Sequence, residues 1–282
     1  MNIGFTLDEK IFDRIPPNEL LFKTNEMGAS SIEVSPDKTI LPGSNYCEIA
    51  KLCDELNIET NYHVPYFAHD FLYEIMNFNE YRKDIKCKYE SLVSIISDMQ
   101  SIICKPSILT IHGAVYKDPA NKEKALYNTL SFLDWYLNFL DKKNIQLELA
   151  IETLNKNEAA IGSSREDIVY ISSEFKGSQL GVCLDICHDS FNYYPGKAPL
   201  DNAFYENIIY SHIHGIDIKK SISHISLKKS DIDFKEQIDF LLQNNYSGII
   251  NLELLVNFCG DSYLKDLFND IDYIKNLINV RQ

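Results

Sequence analysis

The feature that most constrains the fold of this chain is the regular alternation of short β-rich runs with longer amphipathic stretches. Strands that alternate with helices in this way are joined as βα units and form a parallel sheet. Eight runs have the length and composition of strands, and they lie at Ile3–Phe5, Ser31–Val34, Glu59–Val64, Ile108–His112, Gln146–Glu152, Gly181–Asp185, Ile208–His214 and Ile249–Glu253.

The stretches between these runs are predicted to be helices. In one of them Leu126, Leu130 and Leu133 recur at three- and four-residue spacing, which is typical of the buried face of a helix. The predicted helices are Tyr46–Leu56, Glu80–Ile103, Lys122–Lys143, Phe234–Asn244 and Asp261–Asn279.

The length of 282 residues fits one closed barrel of eight β/α units, which typically has about 250 residues. The sequence contains no low-complexity tail and no linker rich in Pro, Gly and Ser, so we expect residues 1–282 to form a single domain. Periodicity alone does not show whether the sheet closes, and an open doubly wound sheet is the alternative. The predicted fold is a single (β/α)8 barrel in the α/β class.

Composition excludes several classes of protein. The N-terminal segment MNIGFTLDEK lacks a basic region followed by an apolar run, and the apolar stretches are too short to cross a bilayer. Seven scattered cysteines without a CxxC pair suit a reducing compartment, so we expect a soluble, cytoplasmic protein. Cys183 and Cys187 would need partners from elsewhere to bind a soft metal and are more typical of buried thiols.

The charge balance argues against a nucleic-acid partner. The formal net charge is −14, with 41 acidic residues against 27 basic ones. Binding to nucleic acid depends on Lys and Arg that neutralise phosphates, so an acidic surface makes such a partner unlikely. Bound metal ions would reverse the potential locally.

Metal-binding residue types stand at the ends of six consecutive β-rich runs. The carboxyl ends of barrel strands meet at one rim, so we expect these side chains to lie close together. A single histidine or carboxylate at a strand end is usually a hydrogen-bonded core residue or a helix cap. Five of the seven histidines lie at these ends, however, and the full set is His63, His112, Glu152, Asp185 with His188, His212 with His214, and Glu253.

These residue types predict a divalent metal centre. Imidazoles together with carboxylates suit Zn, Mn, Fe or Co, whereas oxygen ligands alone would suggest Mg or Ca. A ligating imidazole also needs an acceptor for its other ring nitrogen. Glu33, at the end of the second run, is a candidate for that role, for substrate contact or for a plain hydrogen bond at the rim.

The segments GVCLDICH and HVPY, and the span from His214 through SHISLKKSDIDF to Glu253, resemble the xylose-isomerase-like TIM barrel superfamily. This superfamily joins sugar and sugar-phosphate isomerases and epimerases with endonuclease IV-type enzymes. The resemblance extends from Ile3 to about Ile278, although Lys228 and Ser230 stand where glycines are usual.

In the isomerase and epimerase branch, the resemblance implies one divalent ion (Mn, Zn, Co, Fe or Mg) held by Glu152, Asp185, His214 and Glu253. Glu152 and Glu253 would also be the catalytic acid and base, moving a proton through a metal-stabilised enediolate. The substrate would be a small sugar or polyol, and the residues that would bind it are His188, His212, Tyr66 and Asn155.

In the endonuclease branch, the resemblance implies three zinc ions. Glu152 would bridge the first two, and the third would lack a ligand because Ile222 replaces an Asp. The implied ligand sets are His63, His112 and Glu152, then Glu152, Asp185, His214 and Glu253, and finally His188 and His224.

We therefore expect a metal-dependent sugar or sugar-phosphate isomerase or epimerase. A zinc phosphoesterase acting on abasic DNA is the alternative, and Ile222, the negative charge and the absence of an Arg-bearing loop after the second run argue against it. A non-catalytic metal-binding barrel is a second alternative. Dehydratase or lyase chemistry, the substrate's phosphorylation and the oligomeric state are left open by the sequence.

Overall fold

The computed structural model describes residues 1–36, 43–65, 74–196 and 202–279. Eight strands form a closed, parallel barrel in the order β1-β10-β7-β6-β5-β4-β3-β2, and β8 pairs with β9 as an antiparallel hairpin. The strands are β1 Asn2–Thr6, β2 Ala29–Val34, β3 Glu59–His63, β4 Ser107–Ile111, β5 Leu147–Glu152, β6 Leu180–Asp185, β7 Ile208–Ile213, β8 Gly215–Asp217, β9 Ile222–Ile225 and β10 Ile249–Leu252.

Helices follow the barrel strands along the chain, as βα connections require. They are α1 Pro17–Met27, α2 Gly43–Glu55, α3 Arg82–Ile103, α4 Lys122–Lys143, α5 Arg165–Glu174, α6 Ile186–Tyr193, α7 Asn202–Tyr205, α8 Lys235–Gln243, α9 Val256–Cys259 and α10 Tyr263–Asn279. None of these helices, within the ranges described, is long and apolar enough to cross a membrane.

The predicted (β/α)8 barrel is confirmed, and its closure excludes the open sheet. The eight predicted strands and five predicted helices are all present, with ends shifted by three residues at most. The helices α1, α5, α6, α7 and α9 and the β8–β9 hairpin were not predicted. Helix α5 carries a start signal that could have been recognised, because Ser164 accepts a hydrogen bond from the backbone N–H of Asp167.

An aromatic cluster joins α3 and α4 on the outside of the barrel. The ring of Phe132, which is fully buried, lies 4.6 Å from Tyr89, 5.3 Å from Tyr136 and 5.5 Å from Phe78, measured between centroids. Such close-packed rings contribute both buried area and favourable edge-to-face contacts. This cluster packs α4 against α3 and against the segment that precedes α3.

Removing the central ring tests this packing. We expect Phe132→Ala to lower the free energy of unfolding by about 3–5 kcal/mol, because the cavity cannot fully collapse. The matched control is Tyr127→Ala on the same helix, where the side chain is 64% exposed. This substitution should change the free energy of unfolding by about 0.5 kcal/mol or less. Denaturant unfolding measures both, and equal effects of the two substitutions would contradict the assignment.

Candidate metal centre

The rim at the carboxyl ends of the barrel strands gathers a ring of four buried ligands. Glu152 ends β5, Asp185 ends β6, His212 lies in β7 and Glu253 follows β10. One ligand atom from each side chain lies within 4.8 Å of the others, and the residues are between 0% and 8% exposed. The structure thus brings together residues that are far apart in the chain. We call this set the carboxylate ring.

The sequence predicted His214 as the histidine beside these carboxylates, and the structure places both His212 and His214 against them. His212 is level with Asp185 on β6 and Asn251 on β10 in the strand register, and Nε2 of His214 lies 3.3 Å from Oδ2 of Asp185. His214 follows the last residue of β7 and begins the turn into the β8–β9 hairpin. The two side chains share one face of the chain, but they stand about 6–7 Å apart along it.

His212 is held from behind by Glu33. The Nε2 atom of His212 lies 2.8 Å from Oε2 of Glu33, while its Nδ1 atom lies 3.1 Å from Oε1 of Glu152 and 3.5 Å from Oε2 of Glu253. Hydrogen bonds from Thr6 (3.2 Å) and Asn251 (3.4 Å) fix the fully buried Glu33 carboxylate. A carboxylate behind an imidazole sets its tautomer and orients it toward a metal, so Nδ1 is the nitrogen that faces the ring.

A second group of ligands meets the ring at Glu152. The Nε2 atoms of His63 and His112 lie 3.2 Å and 2.7 Å from Oε2 of Glu152. The Nδ1 atom of His63 lies 2.6 Å from the carbonyl oxygen of Val64, which leaves Nε2 to face the carboxylate. His63, His112 and Glu152 are therefore grouped as the sequence predicted, and Glu152 belongs to both groups.

A third group contains only imidazoles, from His188 in α6, His214 after β7 and His224 in β9. The two strands of the β8–β9 hairpin approach each other closely at Gly215. A Cβ atom at this position would lie 2.3 Å from the carbonyl oxygen of Ser226, so only glycine fits there. His188 was predicted to bind substrate or, together with His224, a metal ion. The structure places both rings beside His214, at 5.1 Å and 4.1 Å between centroids, and we call this set the histidine cluster.

Two of the predicted substrate-binding residues belong to none of these groups as described. Tyr66 is outside the described residues. Asn155 was predicted to bind substrate, but its Oδ1 atom accepts a hydrogen bond from the backbone N–H of Asn157 at 2.9 Å and caps a short 3-10 turn. Thr153 was not predicted, although its position directly after Glu152 signals a rim residue; its Oγ1 atom accepts the backbone N–H of Asp185 at 2.8 Å.

The carboxylates of the ring are ionised. Burial by itself raises the pKa of Glu152, but the imidazoles of His112 and His212 outweigh it and hold that pKa well below its usual value. Burial also raises the pKa of Asp185, but the imidazoles of His188 and His214 outweigh burial, so this pKa is lowered overall. The pKa of Glu253 is also lowered, because His224 and His212 overcome the effect of burial.

The imidazoles show the opposite balance. Burial lowers the pKa of His63, but the hydrogen bond and charge of Glu152 raise it overall to about 9. The pKa values of His212 and His214 are also raised, well above the usual value, because neighbouring thiols and carboxylates outweigh burial. Protons on these rings therefore balance the carboxylate charge when no metal ion does so.

The rim also contains buried polar atoms that have no hydrogen-bond partner. Among the described residues, Oδ2 of Asp185, Oε2 of Glu253 and Nε2 of His214 are buried and accept or donate no hydrogen bond. Buried polar atoms without partners are rare and costly. Three carboxylates and one imidazole form a donor set for divalent ions, so the residues fit the metal that the sequence predicted. Cys187 lies beside Asp185 and His214, but burial raises the pKa of its thiol and keeps it protonated.

Residues 21–258 match the family model described as the xylose isomerase-like TIM barrel. The chain belongs to this family. The match covers most of the barrel and every residue of the three ligand groups.

Two curated relatives share part of the chain. An uncharacterised protein of Methanocaldococcus jannaschii is 27% identical over 188 residues, which are 62% of this chain and 63% of that protein. A probable endonuclease 4 of Mycoplasmopsis pulmonis is 25% identical over 139 residues, covering 36% of this chain and 48% of that protein. The chain thus spans less than two thirds of the length of these relatives.

Solved sugar epimerases have the same fold. The D-psicose 3-epimerase of Clostridium cellulolyticum H10, solved with D-tagatose, superposes with a TM-score of 0.75 over 99% of both chains. Its sequence is 11% identical to this chain. At that identity the likeness establishes the architecture of the barrel.

Glu33 offers a direct test of how the ring is organised. We expect Glu33→Gln to weaken divalent-metal affinity by about 10- to 100-fold, because the neutral amide no longer fixes and polarises His212. Competition titration with a metal-binding dye measures the affinity, and circular dichroism shows whether the fold is retained. An unchanged affinity in a folded variant would contradict the orienting role.

Metal affinity should also depend on pH. Because the pKa of His63 is raised to about 9 and those of His212 and His214 are also raised, the metal-free protein holds protons that a metal must displace. Raising the pH therefore favours the metal-bound state, by about tenfold per pH unit for each proton released. Calorimetric titrations in buffers of different ionisation enthalpy measure both affinity and proton release. Affinity independent of pH below about 9 would contradict these pKa directions.

Proposed function

We propose that this chain is a divalent-metal-dependent isomerase or epimerase acting on a small keto sugar, sugar phosphate or polyol. The observation that carries the proposal is the carboxylate ring, in which two ionised glutamates flank the same metal position at the open end of the barrel. The shared fold with a D-psicose 3-epimerase supports a sugar as the substrate class.

The two glutamates differ in their readiness to move a proton. Both oxygens of Glu152 contact imidazoles, Oε1 at His212 and Oε2 at His63 and His112. Oε2 of Glu253 accepts no hydrogen bond and is close to the rim. Glu253 is therefore the better base for removing a proton from the carbon beside a substrate carbonyl.

Glu152 would act from the other side of the substrate. Its contacts with His63 and His112 give it a source of protons, because the raised pKa of His63 keeps a proton at Nε2 beside Oε2 of Glu152. A proton taken from one face by Glu253 and returned to the other face through Glu152 inverts the carbon. A bound divalent ion would polarise the substrate carbonyl and stabilise the negative charge that develops on its oxygen.

Substitution of Glu253 tests this proposal. D-tagatose and D-psicose are incubated with metal-loaded protein in deuterated water, and exchange at the carbon next to the carbonyl is followed by NMR. We expect Glu253→Gln to reduce exchange by about 10²- to 10⁴-fold, because the amide is not a base. Glu148→Gln, an exposed position on the same strand as Glu152, is the matched control and should retain exchange. Full exchange in Glu253→Gln would overturn the assignment.

A metal-dependent phosphoesterase is the second candidate. The observation in its favour is the contact between all three ligand groups, since phosphoester hydrolysis uses clustered ions to activate water and to neutralise charge. The relative named as a probable endonuclease 4 supports the same chemistry. The net charge of −14 disfavours nucleic acid as its substrate. Metal-dependent hydrolysis of bis-p-nitrophenyl phosphate, without sugar exchange, would favour this candidate.

A further inference from the structure

The loop after β1 contains a buried carboxylate that contacts the backbone beyond Glu253. Asp8 lies two residues after the end of β1 and is 9% exposed. We propose that Asp8 is a positioning residue for Glu253 and acts through the backbone that follows β10. Its effect on proton transfer rests on the proposed function, whereas its effect on the carboxylate ring does not.

The backbone after β10 is held by three different elements. The backbone N–H of Glu253 donates to a carbonyl of β7 at 3.0 Å, and that of Leu255 donates to a carbonyl of β9 at 3.1 Å. The next N–H, from Val256, donates to Oδ2 of Asp8 at 2.8 Å. The chain therefore leaves the rim along a path that is fixed by β7, by β9 and by the loop after β1.

Asp8 uses both carboxylate oxygens as caps. Oδ1 accepts the backbone N–H of Lys10 at 3.1 Å and caps the 3-10 turn Glu9–Asp13. Oδ2 accepts the N–H of Val256, which is the first residue of α9. N–H groups at the start of a helix need an acceptor. The side chain of Leu255, which precedes α9, carries none, so Asp8 supplies the cap from 248 residues away in the chain.

Asp8 lies at the seam where the first and last strands of the barrel pair, β1 with β10. Two other side chains bridge the same seam. The hydroxyl of Tyr263 donates to the carbonyl of Thr6 at 3.3 Å, and Arg14 donates to the carbonyl of Gly260 at 2.8 Å. Of these three bridges, that of Asp8 reaches the chain nearest to Glu253, three residues beyond it.

The position of Glu253 matters because its contacts are close to their limits. Oε2 of Glu253 lies 3.5 Å from Nδ1 of His212 and 3.4 Å from Nε2 of His224. A shift of the backbone by about 1 Å would break these contacts and move the carboxylate away from the other ring oxygens. Misplacement on this scale lowers reaction rates by about 100-fold.

The isosteric substitution Asp8→Asn separates two roles for this carboxylate. An amide has one acceptor oxygen, so its NH2 group must face the N–H of either Lys10 or Val256. In the positioning role, the substitution displaces Glu253. In the alternative role, Asp8 stabilises the seam and has no particular effect on Glu253.

Amide hydrogen exchange in the full-length protein is the first measurement, since it does not depend on the reaction. We expect Asp8→Asn to speed exchange about tenfold in the peptide that contains Leu255 and Val256, because a buried N–H loses its acceptor. Asp118→Asn is the matched control. Asp118 caps an exposed 3-10 turn by accepting the N–H of Ala120 at 3.0 Å, which one oxygen can do, so this variant should leave the peptide protected.

A double-mutant cycle with Glu253→Gln is the second measurement. We expect Asp8→Asn to weaken Mn²⁺ affinity and to slow sugar exchange by about 10- to 100-fold in the wild type. In the Glu253→Gln background it should change Mn²⁺ affinity little, because the group that Asp8 positions is already altered. Equal loss of Mn²⁺ affinity in both backgrounds, or unchanged amide protection, would overturn the proposal and assign Asp8 to the seam alone.

A second variant removes the same hydrogen bond from its other side. Val256→Pro deletes the donor at the first position of α9, where proline is tolerated, and it replaces Asp8→Asn if that variant fails to fold by circular dichroism. The same losses are expected and the same results contradict them. Mn²⁺ affinity and amide protection decide the role of Asp8 even if Glu253→Gln keeps full sugar exchange, so the two proposals fail separately.

Discussion

The interaction on which the rim depends is the charge balance between buried carboxylates and buried imidazoles. Taking an ionised carboxylate out of water costs several kcal/mol unless an opposite charge and hydrogen bonds compensate. Glu152, Asp185 and Glu253 are all buried and ionised, and each faces at least two histidines. Cations must therefore occupy this space in every state of the protein, as protons on the imidazoles or as metal ions among them.

The barrel makes this concentration of charge possible. Parallel strands are connected by helices on the outside, so their carboxyl ends form one rim and each can contribute a ligand. The register of neighbouring strands then determines the depth of each side chain, as the level of His212 with Asp185 shows. Packing of α3 and α4 around Phe132 stabilises the scaffold that carries this rim.

The barrel and the residues that meet at its rim could be predicted from the sequence, because the signals for both are local patterns of residue types. Alternating β-rich and amphipathic runs predicted the barrel, and the residue types at strand ends predicted the ligands. The levels of His212 and His214 could not be separated from the sequence, since both have the same parity and only the register of β6 and β10 distinguishes them. The capping role of Asn155 is a local contact with Asn157 that hydrophobic periodicity does not contain. Which of its three candidate roles Glu33 takes depends on its contact with His212, 179 residues away in the chain.

The structure also explains why the sequence supported two reactions at once. A single ion in the carboxylate ring is sufficient for proton transfer at a sugar carbon, and it leaves His63, His112 and the histidine cluster with other roles. Phosphoester hydrolysis would require ions in more than one group. Because Glu152 is shared by two groups and Asp185 and Glu253 border the third, filling one group changes the charge felt by the others. The two proposed reactions therefore differ in how many of the adjoining groups would have to hold a metal.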